Sequence, residues 1–520
     1  MNHGGLLLFG LAFVGTGYAS EPELSELAVF HRCYSHLTRT RAAATHPLAL
    51  AVESGQMKAG DACETLLNGA MFGDGGQIRT ASNPYAADAK RILRTFNDIH
   101  RSWFPSDNLS LVNLTTIDNH VYDSSTPALY ITRALFDAQV PYSSVVTSRE
   151  QVAALRSTNT LSTDFDNAVI LKADPKALPS TLTQHLAQAP RPTPTSTDNL
   201  IPASQVVRTH VGDLIGVAPY TNSTTIKLMR ILWDWDFLSA AEKVGKVQFN
   251  EKLTDNLTVR TDSHFGGGVI GSPQYYLLNS GRNRLELADG GLKMSRRWSQ
   301  SVMNDLLCKN LPALRNSDIA SVWTQQKAMG TKLPFRQSRS CLQCHVTIDR
   351  MAGVTRNLVS TWAVSSQKAA NAVGDRSTHV YRHPSVNAAK VMPEGIIESS
   401  PTFYKSEPYG QLLYRGFDGS LVDSREVRGL EPLGAALAGT RDLYACAASR
   451  YLFYFTGLAV DLNEMSEDEV SELNPRDREM RSLAIQLGDE LKEHQSLNRL
   501  VRSILAHPLY RTNTLGRSSQ

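Results

Sequence analysis

The pentapeptide Cys341-Leu-Gln-Cys-His345, within the run Arg339-Ser-Cys-Leu-Gln-Cys-His-Val-Thr-Ile-Asp-Arg-Met351, is the most specific chemical signal in the chain. Two cysteines three positions apart can each add across one vinyl group of a haem, and a histidine directly after the second reaches the proximal face of the iron. The spacing therefore predicts one covalent haem c. We expect Cys341 and Cys344 to be its anchors and His345 to be its proximal ligand.

Two other interpretations of a Cys-x-x-Cys pair remain open at this point. The pair is also typical of half a zinc site or of a redox-active dithiol. No second Cys-x-x-Cys or Cys-x-x-His pair lies close enough in the sequence to complete a zinc shell, and no βαβ pattern surrounds the motif. Haem is therefore the preferred interpretation.

Because haem c is attached outside the cytoplasm, the amino terminus is expected to carry an export signal. The apolar run Leu6–Val14 is too short to span a bilayer, and small residues follow it as far as Ser20. Residues 1–19 are predicted to form a cleavable signal peptide, although the absence of Lys and Arg around His3 leaves an uncleaved anchor as an alternative. No later stretch reaches about 18 apolar residues, so we expect no membrane span after cleavage and a periplasmic or secreted protein.

Composition and length indicate an ordinary globular protein of several domains. The 520 residues carry 53 Lys and Arg against 50 Asp and Glu, so nothing indicates nucleic acid as a partner. A hydrophobic content of 42% excludes general disorder. We predict a mainly α, multi-domain protein. Its parts are an N-terminal mainly helical domain (20–188), a Pro/Thr-rich linker (189–204), a helical domain (205–335), a cytochrome-c-like haem domain (336–425) and a C-terminal helical domain (426–515).

Four cysteines lie outside the haem motif, an even number that suits disulfide formation in an oxidising compartment. They are Cys33, Cys63, Cys308 and Cys446, and three pairings are open to them. We favour Cys33 with Cys63, which lie within one short helical region, and Cys308 with Cys446, which would tie together the two flanks of the haem region.

Apolar residues at helical spacing predict several helices. The acidic and then basic stretch Asn463–Arg478 is expected to be a solvated connection. Within residues 428–512, Gly457 is expected to end one helix, and the helical bundle is expected to shield the haem. The predicted helical segments are residues 21–80 with a short helix over Asp61–Gly69, residues 85–104, Thr225–Ala241, Arg296–Leu307, and residues 428–512.

The glycine-rich stretch Gly266–Gly271 fits the pattern G-x-G-x-x-G, which occurs in dinucleotide-binding loops. Ser272-Pro273 follows where the phosphate-binding helix should start, and no acidic partner stands at the expected distance. The stretch is therefore interpreted as a glycine-rich turn.

A set of short motifs in the second half of the chain occurs in a distinctive order. The motifs are Gly267–Gln274, Asn283-Arg284, Leu306–Cys308, Cys341–Asp349, Gly353, Asn357-Leu358, Asp418-Gly419, Leu430, Leu433, Cys446, Arg450–Gly457, Leu500–Ile504 and His507-Pro508. This order resembles that of the planctomycete-type cytochrome-c-like family, which consists of large exported bacterial proteins with several domains of unknown function around one haem motif. The resemblance covers residues 265–512 and, more loosely, 85–105, and it implies haem binding and redox work without a known substrate. Where the family has Pro and Gly after Asp349, this chain has Arg350 and Met351.

The sixth ligand of the iron would decide what the haem does. Met392 is the first candidate, because its separation from His345 is comparable with that in small cytochromes c and Pro393 would stiffen its loop. His379 and His383 are alternatives, as is an open site. Met351 follows the proximal ligand too closely to reach the other face of the iron, so it is predicted to be a core residue.

Three functions fit these predictions. The first is a mono-haem protein that passes single electrons to an unknown redox partner protein. The second is a haem-dependent oxidoreductase, either peroxidase-like or a dehydrogenase subunit, with a substrate site in the N-terminal half. The third is a cell-envelope interaction protein in which the haem is structural.

Overall fold

The protein is represented by a computed structural model, which describes parts of both halves of the chain. The predictions for residues 1–19, the linker 189–204, His383 and Met392 lie outside the described residues. These are 23–73, 83–104, 126–149, 151–155, 169–173, 214–216, 225–231, 257–260, 265–272, 275–276, 293–328, 338–356, 358–364, 376–382 and 407–512.

The described part of the chain is mostly helical, as predicted. None of these helices combines the length and the apolar character that crossing a membrane would require. The helices are α1 (Glu26–Thr38), α2 (Pro47–Glu53), α3 (Ala59–Gly69), α4 (Ala86–Ser102), α5 (Thr126–Phe136), α6 (Ser144–Thr147), α7 (Lys293–Leu307), α8 (Ala320–Ala328), α9 (Arg339–Ala352), α10 (Leu430–Gly439), α11 (Asp442–Thr456), α12 (Glu467–Glu472), α13 (Pro475–His494) and α14 (Leu497–Ala506).

Several of these helices begin and end at residues whose chemistry suits the position. Ser25 Oγ accepts a hydrogen bond from the Ala28 amide at the start of α1, and Ser466 and Glu469 form a reciprocal capping box at α12. Gly457 ends α11 in the left-handed conformation, which confirms the predicted stop. None of the residues of α12 is buried, in agreement with a solvated stretch there.

Antiparallel strands interrupt the helical pattern in the middle of the chain. The helix predicted over Thr225–Ala241 is wrong for its first part, because residues 225–231 form a strand, and the described residues between 214 and 260 are all strands. Thr225, Ile226 and Ile231 are β-branched, which favours an extended backbone once neighbouring strands are present. The pairs and sheets are β1 (Gln151–Leu155) with β2 (Val169–Ala173); β3 (Leu214–Gly216), β4 (Thr225–Ile231) and β5 (Leu257–Arg260); β6 (Leu358–Val364) with β7 (Arg376–Arg382); and β8 (Gly410–Arg415) with β9 (Leu421–Val427).

One large hydrophobic core takes residues from both halves of the chain. Phe30 of α1, Phe96 of α4, Trp298 of α7 and Tyr451 of α11 belong to it and are fully buried. The core therefore joins segments that precede residue 189 to segments that follow residue 204. The division of the chain into separate domains stays a prediction.

Both of the favoured disulfide pairs are present. Cys33 and Cys63 join α1 to α3, with their Cα atoms 6.3 Å apart. Cys308 and Cys446 join the end of α7 to α11, with their Cα atoms 5.3 Å apart. The pairing predicted for the four cysteines outside the haem motif is thus confirmed, and such bonds are typical of proteins that fold in an oxidising compartment.

The glycine-rich stretch forms a tight turn, as predicted, followed by a short 3-10 helix over Gly268–Gly271. Gly268 has a φ of 59°, and a Cβ atom there would lie 2.0 Å from the carbonyl oxygen of Val145. A side chain at this position would therefore clash with α6 in addition to straining the backbone.

Candidate haem attachment site

The three residues of the haem motif lie on one face of α9. Cys341, Cys344 and His345 occupy helix positions i, i+3 and i+4, which neighbour one another on a helix surface. All three are half-buried. Neither thiol takes part in a disulfide, although the other four cysteines of the chain are paired.

The opposite face of α9 is fixed by apolar packing. Leu342 and Val346 are buried in a small cluster with Leu314, Ile319 and Leu413, which come from the segment before α8 and from β8. This cluster presents the cysteines and the histidine from a rigid element, as a preorganised site requires.

Polar contacts also hold the amino-terminal half of α9. The Gln343 side chain donates a hydrogen bond of 3.0 Å to the carbonyl of Leu314. The Arg339 guanidinium lies over the ring of Trp323, 4.2 Å from its centroid, in a cation–π contact. The residues between and beside the two cysteines therefore anchor the helix, and the cysteines themselves make no such contact.

The carboxyl end of α9 lies against β8 at a close backbone approach. A Cβ atom on Gly410 would lie 2.5 Å from the carbonyl oxygen of Arg350, and one on Gly353 would lie 2.1 Å from that of Tyr409. Only glycine permits this approach, which fixes the angle between the motif helix and the β8–β9 hairpin.

His345 faces a buried carboxylate one helical turn further on. Its Nδ1 atom lies 3.4 Å from each carboxylate oxygen of Asp349, a long contact compared with an ordinary hydrogen bond. Asp349 is only 2% exposed, and Arg296 of α7 donates to both of its oxygens, from Nε at 2.5 Å and from Nη2 at 3.1 Å. Because Nδ1 faces the carboxylate, Nε2 is the nitrogen with which His345 would hold a haem iron.

The sequence interpretation missed this group of three side chains. Asp349 was considered only as part of the family resemblance, and Arg296 only as part of a helix. An Asp four positions after the motif histidine on a helix is a local signal that could have indicated the contact. The arginine comes from a distant segment and has no such signal.

The two thiols differ little from ordinary half-buried cysteines. Burial raises the pKa of the Cys344 thiol, and the neighbouring Cys341 adds to this effect. A zinc site has no support in the described residues, because no three His, Cys, Asp or Glu side chains there are arranged to hold a metal ion.

Among the other predicted iron ligands, the structure describes the backbone position of His379 only. His379 lies in β7, at the register position opposite Thr361 of β6, and His383 and Met392 lie outside the described residues. Met351 is fully buried in the main core, which confirms its predicted structural role. The sixth ligand therefore stays a prediction, with Met392 as its first candidate.

A buried arginine that follows α9 in the chain also bears on whether this region suits a haem. Arg356 is 1% exposed, and its Nε and Nη1 atoms have no hydrogen-bond partner. Burial lowers the pKa of this guanidinium, which shows that its charge is poorly solvated. A buried guanidinium with two unsatisfied nitrogens is suited to a carboxylate, and a haem carries two propionate carboxylates. The two thiols and the histidine on one face of α9 are the residue types that hold a haem c, and Arg356 is of the type that pairs with a propionate.

A separate buried polar cluster lies at the other end of α7. His100 contacts the Thr132 hydroxyl through Nδ1 at 2.8 Å and the Tyr451 hydroxyl through Nε2 at 2.7 Å. The Tyr275 hydroxyl donates to Asp305 Oδ2 at 3.0 Å. Burial lowers the pKa of His100 to about 3 and raises that of Asp305 to about 7, so both groups are held in their neutral forms near pH 6.

In a comparison with known proteins, no family model, curated protein or solved structure matches this chain.

Proposed function

We propose that the protein is an exported, mono-haem c protein that transfers single electrons. The observation that supports this most strongly is the difference among its six cysteines. Four form two disulfides, whereas Cys341 and Cys344 remain thiols on one face of a helix beside His345. In an oxidising compartment, two neighbouring thiols kept apart from the disulfides are suited to thioether formation.

Four side chains would have definite roles in this function. Cys341 and Cys344 would anchor the group, His345 would hold its iron, and Arg356 would compensate the charge of a propionate. When bound, the haem supplies a one-electron couple between ferric and ferrous iron. The half-buried state of the motif face would leave an edge of the haem accessible to a partner protein.

The location and the domain assignment belong to the same proposal. The two disulfides favour an oxidising compartment, and the predicted signal peptide over residues 1–19 indicates a periplasmic or secreted protein. We assign residues 336–425 to a cytochrome-c-like haem domain on the basis of the motif and the family resemblance. In its described part this region combines α9 with the hairpins β6–β7 and β8–β9.

Expression in a host that matures cytochromes c tests the proposal. The purified wild-type protein should show a c-type absorption spectrum that sharpens on addition of dithionite. Its pigment should stay with the polypeptide in acidified acetone. The double variant Cys341→Ala, Cys344→Ala should lose the covalent pigment, while Ser340→Ala, an exposed position in the same helix, should retain it. A colourless wild-type protein would refute the proposal.

Carbon monoxide distinguishes electron transfer from haem-dependent catalysis. A six-coordinate carrier should not bind carbon monoxide rapidly in its ferrous form, whereas an open site should. If Met392 is the sixth ligand, Met392→Ala should convert the first behaviour into the second. Rapid binding by the wild-type protein would instead favour a haem-dependent oxidoreductase.

A further inference from the structure

We propose that Asp349 is a positioning residue that tunes the haem iron through His345 and lowers its reduction potential. This inference rests on the proposed haem binding and adds a role for two side chains that the sequence did not connect with the cofactor. It is supported by the geometry of Arg296, Asp349 and His345.

The first step is the direction of the contact. Both carboxylate oxygens of Asp349 lie 3.4 Å from Nδ1 of His345, so the carboxylate faces this nitrogen symmetrically. A neutral imidazole carries its proton on one nitrogen only, and a carboxylate opposite Nδ1 favours the proton there. The Nε2 lone pair is then the one that the arrangement assigns to iron.

The second step is the rigidity of the carboxylate. Asp349 is 2% exposed, whereas the His345 side chain is 27% exposed, so the acceptor is buried behind its donor. Arg296 holds it with two hydrogen bonds in the bidentate geometry that suits a guanidinium and a carboxylate. The ion pair compensates the buried charge and prevents Asp349 from rotating away from the imidazole.

The third step is the effect on the iron. A histidine ligand whose second nitrogen donates to a carboxylate is a more basic ligand than one that donates to a neutral acceptor. A more basic ligand stabilises ferric iron relative to ferrous iron, and this lowers the potential. Hydrogen bonds to charged groups are about twice as strong as neutral ones, and the contact here is long, so we expect at most about a tenfold preference for the ferric form.

The test is the midpoint potential of the haem-loaded, full-length protein. Asp349→Asn keeps an acceptor at this position but removes its charge. The ferric preference should then fall by up to tenfold, which corresponds to a rise of up to about 59 mV for a one-electron couple. Asp349→Glu, which restores a carboxylate, should return the potential toward that of the wild type.

Asp318→Asn is the matched control. The side chain of Asp318 is only 5% exposed and also accepts two hydrogen bonds from one guanidinium, that of Arg415, at 2.6 and 2.8 Å. This variant should lose a comparable amount of stability without changing the potential. A change in potential that is equal in Asp349→Asn and Asp318→Asn would overturn the inference, because it would reflect loosened packing only.

Two further results keep this test separate from the proposed function. If the wild-type chain holds no covalent haem, the proposed function fails, and the inference that rests on it is refuted as well. If the wild type holds haem but Asp349→Asn does not accumulate, the midpoint potential of Arg296→Lys is measured instead. The single ammonium group of the lysine would hold the Asp349 carboxylate less firmly than the two guanidinium nitrogens do, so we expect a smaller rise in potential. An unchanged potential would refute the role of Asp349.

Discussion

Lys309 and Asp442 form an ion pair in the interior, with Nζ 2.8 Å from Oδ1 and only 2% and 5% of the two side chains exposed. Asp442 also accepts hydrogen bonds from the Tyr414 hydroxyl at 3.1 Å and from the Phe417 amide at 3.0 Å. The pair connects the end of α7 with the start of α11 and with the β8–β9 hairpin. Helix α7 also carries Arg296, and α11 contributes to the main core. The β8–β9 hairpin forms the surface against which α9 packs.

Lys309→Met should therefore destabilise the fold strongly. The variant leaves the carboxylate of Asp442 buried without its cation, and breaking a buried pair from one side costs about 3–5 kcal/mol. The measurement is the midpoint of urea unfolding followed by circular dichroism. Lys58→Met, at an exposed lysine, is the control and should shift the midpoint little. A loss of under about 1 kcal/mol in Lys309→Met would contradict the role given to the pair.

His100 should make the protein less stable in acid. Burial lowers its pKa in the folded state to about 3, against an ordinary value near 6.5. Between these values the unfolded chain binds the proton and the folded chain does not, so stability falls as pH decreases below about 6.5. At pH 5 the neutral state of His100 in the fold lowers the free energy of unfolding by on the order of 2 kcal/mol, relative to neutral pH.

The variant His100→Gln tests this directly through melting temperatures between pH 4.5 and 7.5. Its melting temperature should fall less steeply toward acid than that of the wild type, even if it is lower at pH 7.5. His36, whose pKa burial lowers to about 4, keeps part of the slope in the variant. Parallel curves for the variant and the wild type would show that His100 is not held neutral.

Asp305 should have the opposite dependence. Burial raises its pKa to about 7, so the folded protein binds a proton that the unfolded chain releases above about pH 4. Its contribution to stability is present at low pH and is lost as pH rises from about 4 to about 7. Asp305→Asn cannot ionise, so its melting temperature relative to the wild type should rise from pH 5 to about pH 7 and level off by pH 8. A constant difference over this range would contradict the prediction.

Arg356 should affect the haem-free and the haem-loaded protein with opposite signs. Without a haem its Nε and Nη1 atoms are buried and unsatisfied, so Arg356→Met should leave the melting temperature unchanged or raise it. With a haem the same change removes the proposed propionate partner and should lower the melting temperature. The double variant Cys341→Ala, Cys344→Ala supplies the haem-free background. The same sign in both backgrounds would exclude Arg356 as the propionate partner.

Much of the fold could be predicted where the signal is local. The stop at Gly457 and the turn at Gly266–Gly271 depend on backbone conformations that one or two residues determine. The disulfide pairing followed from an even cysteine count, from the short helical region that holds Cys33 and Cys63, and from the positions of Cys308 and Cys446 on the two flanks of the haem motif. The residues of the haem motif share a helix face because their own spacing puts them there.

Other features depend on partners far away in the chain, which periodicity does not reveal. Residues 225–231 contain residues that suit either a helix or a strand, and pairing with β3 and β5 decides in favour of the strand. Arg296 reaches Asp349 only because α7 packs on α9, and Lys309 reaches Asp442 only because α7 ends beside α11. Such pairs have no signature in a single sequence.

The mass of the intact protein tests the central claim most directly. After expression in a host that matures cytochromes c, and after denaturation in acid to remove any group held without a covalent bond, the chain is weighed by mass spectrometry. We predict an increase equal to one haem, located by proteolysis on the peptide that contains Cys341 and Cys344. A chain at its bare mass, or one with these two cysteines joined as a third disulfide, would contradict the account.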